Sequence, residues 1–212
     1  MGDIFREIDE EIRRDRAEEL WKRYGNYILT GAAVIVIATA GWVAWQEYRQ
    51  RNAIETTAAM HTALSAARAD NTDAAIAGFA EISQSGTAGQ AALALFQEAA
   101  LRADSGDRDN ARILYRNIRN NGSLDAPYHA LAAIRLVELD LADGNPAELR
   151  GLLQPLLGDD SPWRNTAREL AAYLEQRAGN AEAARNHLQR IIDDSDASAS
   201  ARARAEAFLA QL

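Results

Sequence analysis

The chain has 212 residues, 48% of them hydrophobic, and a formal net charge of -8. This length allows one domain of ordinary size with a short appendage but excludes two large domains. Lys22 is the only lysine, so the broad basic surface of a nucleic-acid-binding protein is missing and we expect no nucleic-acid partner. Cysteine is absent, which excludes disulfides, zinc–thiolate sites and thiol nucleophiles.

Residues 1–26 form a charged N-terminal segment in which Ile4, Ile8 and Ile12 recur every four residues. This spacing predicts an amphipathic helix with a narrow apolar stripe. Such a helix would dock on a partner or lie at a membrane surface. A solvated helix that simply continues into the next segment fits the pattern at least as well.

Residues 27–45 form an apolar segment without a charged residue, with Gly31 and Gly41 inside it but no GxxxG dimerisation motif. As a helix its 19 residues extend roughly 28 Å, close to the hydrocarbon thickness of a bilayer. Aromatic residues occur at both ends, as expected at the two membrane interfaces: Tyr24, Tyr27, Trp42, Trp45 and Tyr48. The segment is therefore predicted to be a single transmembrane helix.

The charges beside this segment predict its orientation. Five basic residues precede it closely and two follow it: Arg13, Arg14, Arg16, Lys22 and Arg23, then Arg49 and Arg51. Because basic residues are retained on the cytoplasmic side, we expect a cytoplasmic N-terminus and a C-terminal domain, residues 46–212, in the periplasm. The predicted location is the cell inner membrane, with a single pass.

The apolar segment has three other interpretations, and the sequence disfavours each of them. A signal peptide cleaved after Ala40 would release a soluble domain, but a leader with eight acidic and six basic residues is unusual for a signal peptide, and the apolar run continues to Trp45. Arg13-Arg14 lacks the apolar continuation of a twin-arginine signal. A helix buried in a globular core is disfavoured because the segment is apolar on every face and its charged flanks are abrupt.

The region after residue 50 contains turn signals at regular spacing, separated by segments with helical periodicity. Asp70, Gly106, Gly144 and Gly179 are 36, 38 and 35 residues apart, close to the period of about 34 residues in tetratricopeptide repeats (TPRs). Matching residues follow each turn by five and by nine positions: Ala75, Ala111, Leu149 and Ala184, then Phe79, Tyr115, Leu153 and Leu188. Further matches lie twelve positions after and seven before: Ile82, Ile118, Leu156 and Ile191, then Ala63, Ala99, Val137 and Ala172.

Small residues followed one helical turn later by bulky ones allow antiparallel helices to pack closely. We therefore predict an all-α fold, in which the transmembrane helix precedes a TPR-like α-solenoid of about four helical hairpins and a C-terminal capping helix. Leu149 occupies a normally small position, which predicts distortion of the third hairpin. An ordinary helical bundle with the same periodicity is the alternative.

No residue pattern indicates catalysis, a cofactor or a metal site. His61, His129 and His187 are far apart and lack ligand spacing, and the pairs Asp159-Asp160 and Asp193-Asp194 are interpreted as helix caps. The function expected is binding of polypeptides in the concave groove of the solenoid. Gln97 and Arg135 are expected in this groove, and mixed charges there would come from Arg102, Arg135, Arg168, Glu98, Asp140 and Glu175.

The whole arrangement resembles the TPR-like ancillary subunit of the SecYEG translocon, a family with one N-terminal span and a periplasmic TPR-like domain. The closest segments are residues 41–45 at the end of the span, 49–60 after it, and the hairpin segments 73–82, 107–118 and 180–192. The charged N-terminal segment looks like that of alphaproteobacterial members. The resemblance implies association with SecYEG and with a membrane-anchored, parvulin-like periplasmic chaperone, to which emerging secretory polypeptides are passed.

A second class of function uses the same groove. An envelope assembly or stress-regulatory adaptor would need the same anchor and the same TPR-like domain, and only the identity of the partners separates the two functions. An enzyme is the third class, and it is disfavoured because no constellation of catalytic residues is visible.

Overall fold

The computed structural model describes residues 3–212, with side chains described for Glu18, residues 21–27 and residues 29–212. The predicted stripe of Ile4, Ile8 and Ile12 lies outside the described side chains. The chain divides into two compact units, Met1–Ile54 and Glu55–Leu212. The boundary falls within the first helix, α1, which covers Asp3–Arg68.

Helix α1 includes a stretch suited to a membrane. The part of α1 from Trp21 to Arg68 is long and apolar enough to cross a bilayer, and none of its most apolar window is buried against the described part of the chain. Exposed apolar surface on this scale requires a lipid or protein environment. Among the described residues, one helix is therefore a candidate membrane span, and it contains the apolar segment 27–45.

The second unit is a series of helical hairpins, which confirms the all-α prediction; residues 3–212 contain no β-strand. Residues 55–68 of α1 and α2 form hairpin 1, α3 and α4 hairpin 2, α5 and α6 hairpin 3, and α7 and α8 hairpin 4, followed by α9. The bounds are α2 (Thr72–Ser85), α3 (Ala88–Asp104), α4 (Arg108–Asn120), α5 (Ala126–Asp140), α6 (Pro146–Leu153), α7 (Arg164–Arg177), α8 (Ala181–Ile192) and α9 (Ala199–Leu209).

Local sequence signals explain where several helices begin. Thr87 and Gln90 form a capping box at the start of α3, each side chain bonding to the backbone N–H of the other. Asn145 caps α6, and Pro146 occupies its first turn, where a missing N–H costs nothing. Ser198 caps α9 by accepting a hydrogen bond from the N–H of Ala201.

Hairpins 1, 2 and 4 share one turn geometry. Asp70, Gly106 and Gly179 have positive φ angles of 57°, 90° and 80°. At each turn the next residue donates its N–H to a carbonyl five residues earlier, for example from Asp107 to Arg102 at 2.7 Å. This Schellman arrangement satisfies carbonyls at the helix end and favours glycine, because positive φ strains residues with a Cβ.

Hairpin 3 departs from this geometry, as the leucine at position 149 predicted. Five residues connect α5 to α6, and Gly144 is not among the residues with positive φ. Helix α6 has eight residues and gives way to a short 3-10 helix at Gln154–Leu156. Pro155 explains the early end, since proline removes a helical N–H donor and clashes with the preceding turn.

The core lies between the two helices of each hairpin and between neighbouring hairpins. The sixteen repeat positions named from the sequence are all buried except Leu156, which is partly buried. The first helices of successive hairpins also contact each other, α3 with α5 and α5 with α7. Such stacking of first helices is the geometry of a solenoid.

Candidate functional site

The predicted repeat-packing residues lie in the core and offer nothing to a ligand, with the exception of Tyr115. Each is at most 4% exposed, and they belong to the apolar clusters of their own hairpins: Ala75, Phe79, Ala111, Tyr115, Leu149, Leu153, Ala184 and Leu188. Leu149 fills the space beside Gly144 in the irregular hairpin, where a Cβ on that glycine would lie 3.1 Å from the leucine Cδ1.

The residues predicted to mark the membrane span lie on exposed helix surface. Tyr27, Trp42 and Trp45 are 77%, 62% and 50% exposed, and the positions where a Cβ would stand on Gly31 and Gly41 are open. The guanidinium of Arg49 lies over the Trp45 ring, 4.6 Å from its centroid. A tryptophan paired with a cation suits the interface between hydrocarbon and water.

An open groove of about 510 Å³ lies between the first helices of hairpins 2 and 3. We call it the α3/α5 groove, and its main lining residues are Leu93, Phe96, Gln97 and Asp104 of α3 and Leu131, Arg135 and Glu138 of α5. Leu93 is 48% exposed and gives the groove an accessible apolar side chain. Gln97 and Arg135 thus line a groove, as the sequence predicted.

Tyr115 of α4 lies at the base of the α3/α5 groove and packs against Phe96, with ring centroids 6.1 Å apart. Burial raises the pKa of Tyr115, so its hydroxyl is neutral and able to donate a hydrogen bond at physiological pH. An apolar surface with a few polar groups around it is the usual composition of a binding site.

Most of the charges expected in the groove are engaged elsewhere. Glu98 is buried and accepts from Arg102 at 2.9 Å. Arg168 is only 2% exposed, and its guanidinium donates to the Asp159 carboxylate and to the carbonyls of Leu157 and Arg190. The expectation is therefore wrong for Glu98, which pairs within α3, and for Arg168, which holds loops together, whereas Arg135 of the same set does line the α3/α5 groove.

The aspartate pairs were predicted to cap helices, and this is also wrong. The residue before α7 is Trp163, and α9 is capped by Ser198. Asp194 instead accepts from Arg164 at 2.6 Å, and this hydrogen bond is the main cause that lowers its pKa. Asp159 accepts from Arg168 and Arg190, which likewise lower its pKa.

An arginine contact recurs along the repeat and was not among the predicted features; in hairpins 2 and 3 it is an ion pair that joins consecutive hairpins. Arg112 of α4 donates two hydrogen bonds to Asp140 at the end of α5, at 2.8 and 2.7 Å. Arg150 of α6 does the same to Glu175 near the end of α7, at 2.6 and 3.1 Å. Arg185 of α8 reaches the terminal carbonyl of Leu212 at 2.6 Å.

These three arginines occupy the same repeat position, six residues after the turn, and the two acids lie four residues before the next turn. We call the two ion pairs, Arg112–Asp140 and Arg150–Glu175, arginine clasps. Hairpin 1 carries Ile76 at this position, so the clasp series begins with hairpin 2. The sequence indicates these contacts through an arginine and an acid that each recur at the spacing of the repeat.

The histidines lie apart in three different helices. His129 shares a hydrogen bond of 2.9 Å with the carbonyl of Asn121, and burial lowers the pKa of His187. Among the residues that the structure describes, no cluster of histidines and carboxylates has the arrangement of a metal site.

The sequence matches the tetratricopeptide repeat-like domain family over residues 18–203. No curated protein and no solved structure matches the chain. The match covers most of the chain, including all four hairpins. Domains of this kind are typically non-catalytic modules for protein interaction, which agrees with the groove and its lining. The chain therefore belongs to the tetratricopeptide repeat-like domain family.

Proposed function

We propose that this protein is a single-pass inner-membrane protein whose TPR-like domain binds polypeptides in the periplasm. In this proposal residues 1–26 are cytoplasmic, residues 27–45 span the membrane and residues 46–212 are periplasmic. The proposal depends above all on one observation: a helix apolar enough to span a bilayer occurs in the same chain as a TPR-like groove with exposed apolar side chains. The excess of basic residues before the span supports the orientation.

The proposed place of action is the SecYEG translocon. The resemblance of the whole arrangement to the ancillary TPR-like subunit supports this assignment. The protein would meet secretory polypeptides as they emerge, while they are still unfolded and expose apolar residues. It would then pass them to a membrane-anchored periplasmic chaperone. The role is binding rather than catalysis, and no cofactor is required.

Photo-crosslinking in living cells tests this function. A photoreactive residue at Gln97 or Arg135 of the full-length protein faces the α3/α5 groove, and one at Trp45 lies near the proposed membrane interface. The control position is Arg116, which is exposed on α4 outside the groove lining. Captured proteins are then identified by mass spectrometry.

We expect groove positions to capture secretory polypeptides and the chaperone, Trp45 to capture translocon subunits, and Arg116 to capture none of them. Capture of cell-wall or outer-membrane assembly factors alone would contradict the translocon assignment and would identify an envelope adaptor instead. Capture of cytoplasmic proteins from groove positions would contradict the orientation.

A further inference from the structure

The α3/α5 groove has an apolar surface that the fold leaves partly exposed. Leu93 is nearly half exposed, and Phe96 and Leu131 are partly buried beside it. A leucine left in water loses the roughly 1.5–3 kcal/mol that full burial of such a side chain contributes. Occupation by an apolar side chain of a ligand would recover part of that free energy.

The charges at the rim of this groove leave one carboxylate without a cation. The guanidinium of Arg135 pairs with Glu138 at 2.8 Å. The nearby Arg102 is occupied by Glu98 and Asp107, at 2.8 and 3.0 Å. Asp104 lines the same groove, is exposed, and has no ion pair with any described residue.

The position of Asp104 in α3 makes its charge unfavourable for the helix itself. It is the last residue of the helix, where the macrodipole places partial negative charge, so an acid there destabilises the helix slightly. The free carboxylate therefore contributes nothing to the fold. It is available to a cation supplied by a ligand, in the same groove as Leu93 and about 16 Å further along α3.

We propose that the α3/α5 groove selects unfolded polypeptide segments in which a bulky apolar residue lies about five residues from an arginine or lysine, the length of extended chain that covers the distance from Leu93 to Asp104. The apolar residue packs on Leu93, Phe96 and Leu131, and the cation pairs with Asp104. The inference rests on the proposed function for the choice of a polypeptide as ligand, and it adds the chemistry by which segments are chosen. An acidic neighbour would be repelled by the same carboxylate.

Binding of four fluorescent peptides to the full-length protein in nanodiscs of phosphatidylcholine tests the proposal. The peptides share a Gly/Ser/Asn background and carry Leu or Ser at the centre and Arg or Glu about five residues later, a spacing that covers the distance along α3 from Leu93 to Asp104. Empty nanodiscs measure binding to lipid, and fluorescence anisotropy measures the Kd. We expect Leu/Arg to bind most tightly, with about a tenfold loss for Ser in place of Leu and about a threefold loss for Glu in place of Arg.

Two variants with matched controls assign these preferences to residues. Leu93→Ser should weaken binding of both leucine peptides. Its control is Ile113→Ser, because Ile113 of α4 is similarly exposed but lies outside the groove lining, and this variant should bind like the wild type. Asp104→Asn should abolish the preference for Arg over Glu and retain the preference for Leu, with a thermal transition no lower than that of the wild type. Asp73→Asn, at an exposed acid of α2 outside the groove lining, should leave both preferences intact.

Equal binding of the Arg and Glu peptides by the wild type would overturn the proposal, as would a preference for Arg that survives in Asp104→Asn. Failure of all four peptides to bind would overturn it as well. None of these three results decides the proposed function, because capture of translocon partners in cells is measured independently of the peptide chemistry.

Discussion

Hairpins 2 and 3 border the same groove but are built differently. Hairpin 2 has a three-residue turn with Gly106 in positive φ, and a second helix of 13 residues. Hairpin 3 has a five-residue turn, and its second helix ends after eight residues. The first helices, α3 and α5, are nevertheless of similar length and together form the groove. The two regular first helices thus form most of the groove lining, with Tyr115 from α4, while the turns and the lengths of the second helices differ between the two hairpins.

The largest loss of stability is expected from a substitution at the fifth position after the turn, where hairpin 2 has alanine and hairpin 3 has leucine. Leu149→Ala places in hairpin 3 the small residue that hairpin 2 has at Ala111. Because Leu149 is buried and lies against Gly144, we expect the free energy of unfolding to fall by about 2–5 kcal/mol. Urea unfolding of the full chain in detergent micelles, followed by circular dichroism, measures the change.

The reverse exchange, Ala111→Leu, should also destabilise, by about 1–3 kcal/mol, since Ala111 is fully buried and the larger side chain overpacks hairpin 2. Ile113→Ala, on an exposed side chain of the same helix, is the control and should change little. If Leu149→Ala were as stable as the wild type, the two hairpins would not differ in their packing at this position.

Replacing the glycine at either turn with alanine should lower the free energy of unfolding, but for different reasons at the two positions. Gly106→Ala meets no neighbouring atom within 4 Å but forces a Cβ into φ +90°, so we expect a loss of about 1–2 kcal/mol. Gly144→Ala would bring the Cβ to 2.7 Å from the Asp140 carbonyl oxygen, which costs about 1–3 kcal/mol through steric displacement.

Asparagine distinguishes the two causes, because it tolerates positive φ better than alanine does. Thermal unfolding should show partial recovery in Gly106→Asn relative to Gly106→Ala. It should show no recovery in Gly144→Asn, where the obstacle is space. Equal recovery at both positions would mean that Gly144 also serves backbone conformation.

The repeat could be predicted from the sequence because it depends on local periodicity. Turn residues such as Gly106 and Gly179 and the buried Phe79 and Leu188 follow from spacing alone. The distortion of hairpin 3 was predicted from Leu149, which stands where the other hairpins have alanine, and the spacing of 38 residues between Gly106 and Gly144 agrees with it. Local rules of helix length, turn chemistry and face periodicity account for this part of the fold.

The contacts of long charged side chains were not predictable in the same way. Arg168 is buried because the loop after hairpin 3 folds back and brings Leu157 and Asp159 to it, which no periodicity encodes. Arginine near a helix surface is usually solvated, so burial was the less expected outcome. The α3/α5 groove likewise depends on how two helices 30 to 40 residues apart are placed, although its position at Gln97 and Arg135 followed from the repeat.

The arginine clasps are the feature that hairpins 2 and 3 share, and they should give the smallest effects. The clasp between Arg150 and Glu175 is partly exposed to solvent, so the coupling free energy from a double-mutant cycle of Arg150→Ala and Glu175→Ala should be about 1 kcal/mol at pH 7. The clasp between Arg112 and Asp140 should give a similar value. Replacing Ile76 with arginine should add little, because hairpin 2 carries Arg102 where the later hairpins carry the acid.

The pH dependence of the free energy of unfolding shows whether Arg150 stabilises the fold as an ion pair or through packing of its side chain. The hydrogen bond from Arg150 lowers the pKa of Glu175 below its ordinary value of 4.5. A lowered pKa in the folded state stabilises the fold above the ordinary pKa, and this stabilisation is lost as the pH falls through the folded value. The loss in the free energy of unfolding caused by Arg150→Ala should therefore have its maximum value at pH 7 and should decrease steadily below pH 4.5. A cost that stayed constant down to pH 2 would assign the contact to packing of the arginine stem, and the clasps would then not be ion pairs that hold neighbouring hairpins in register.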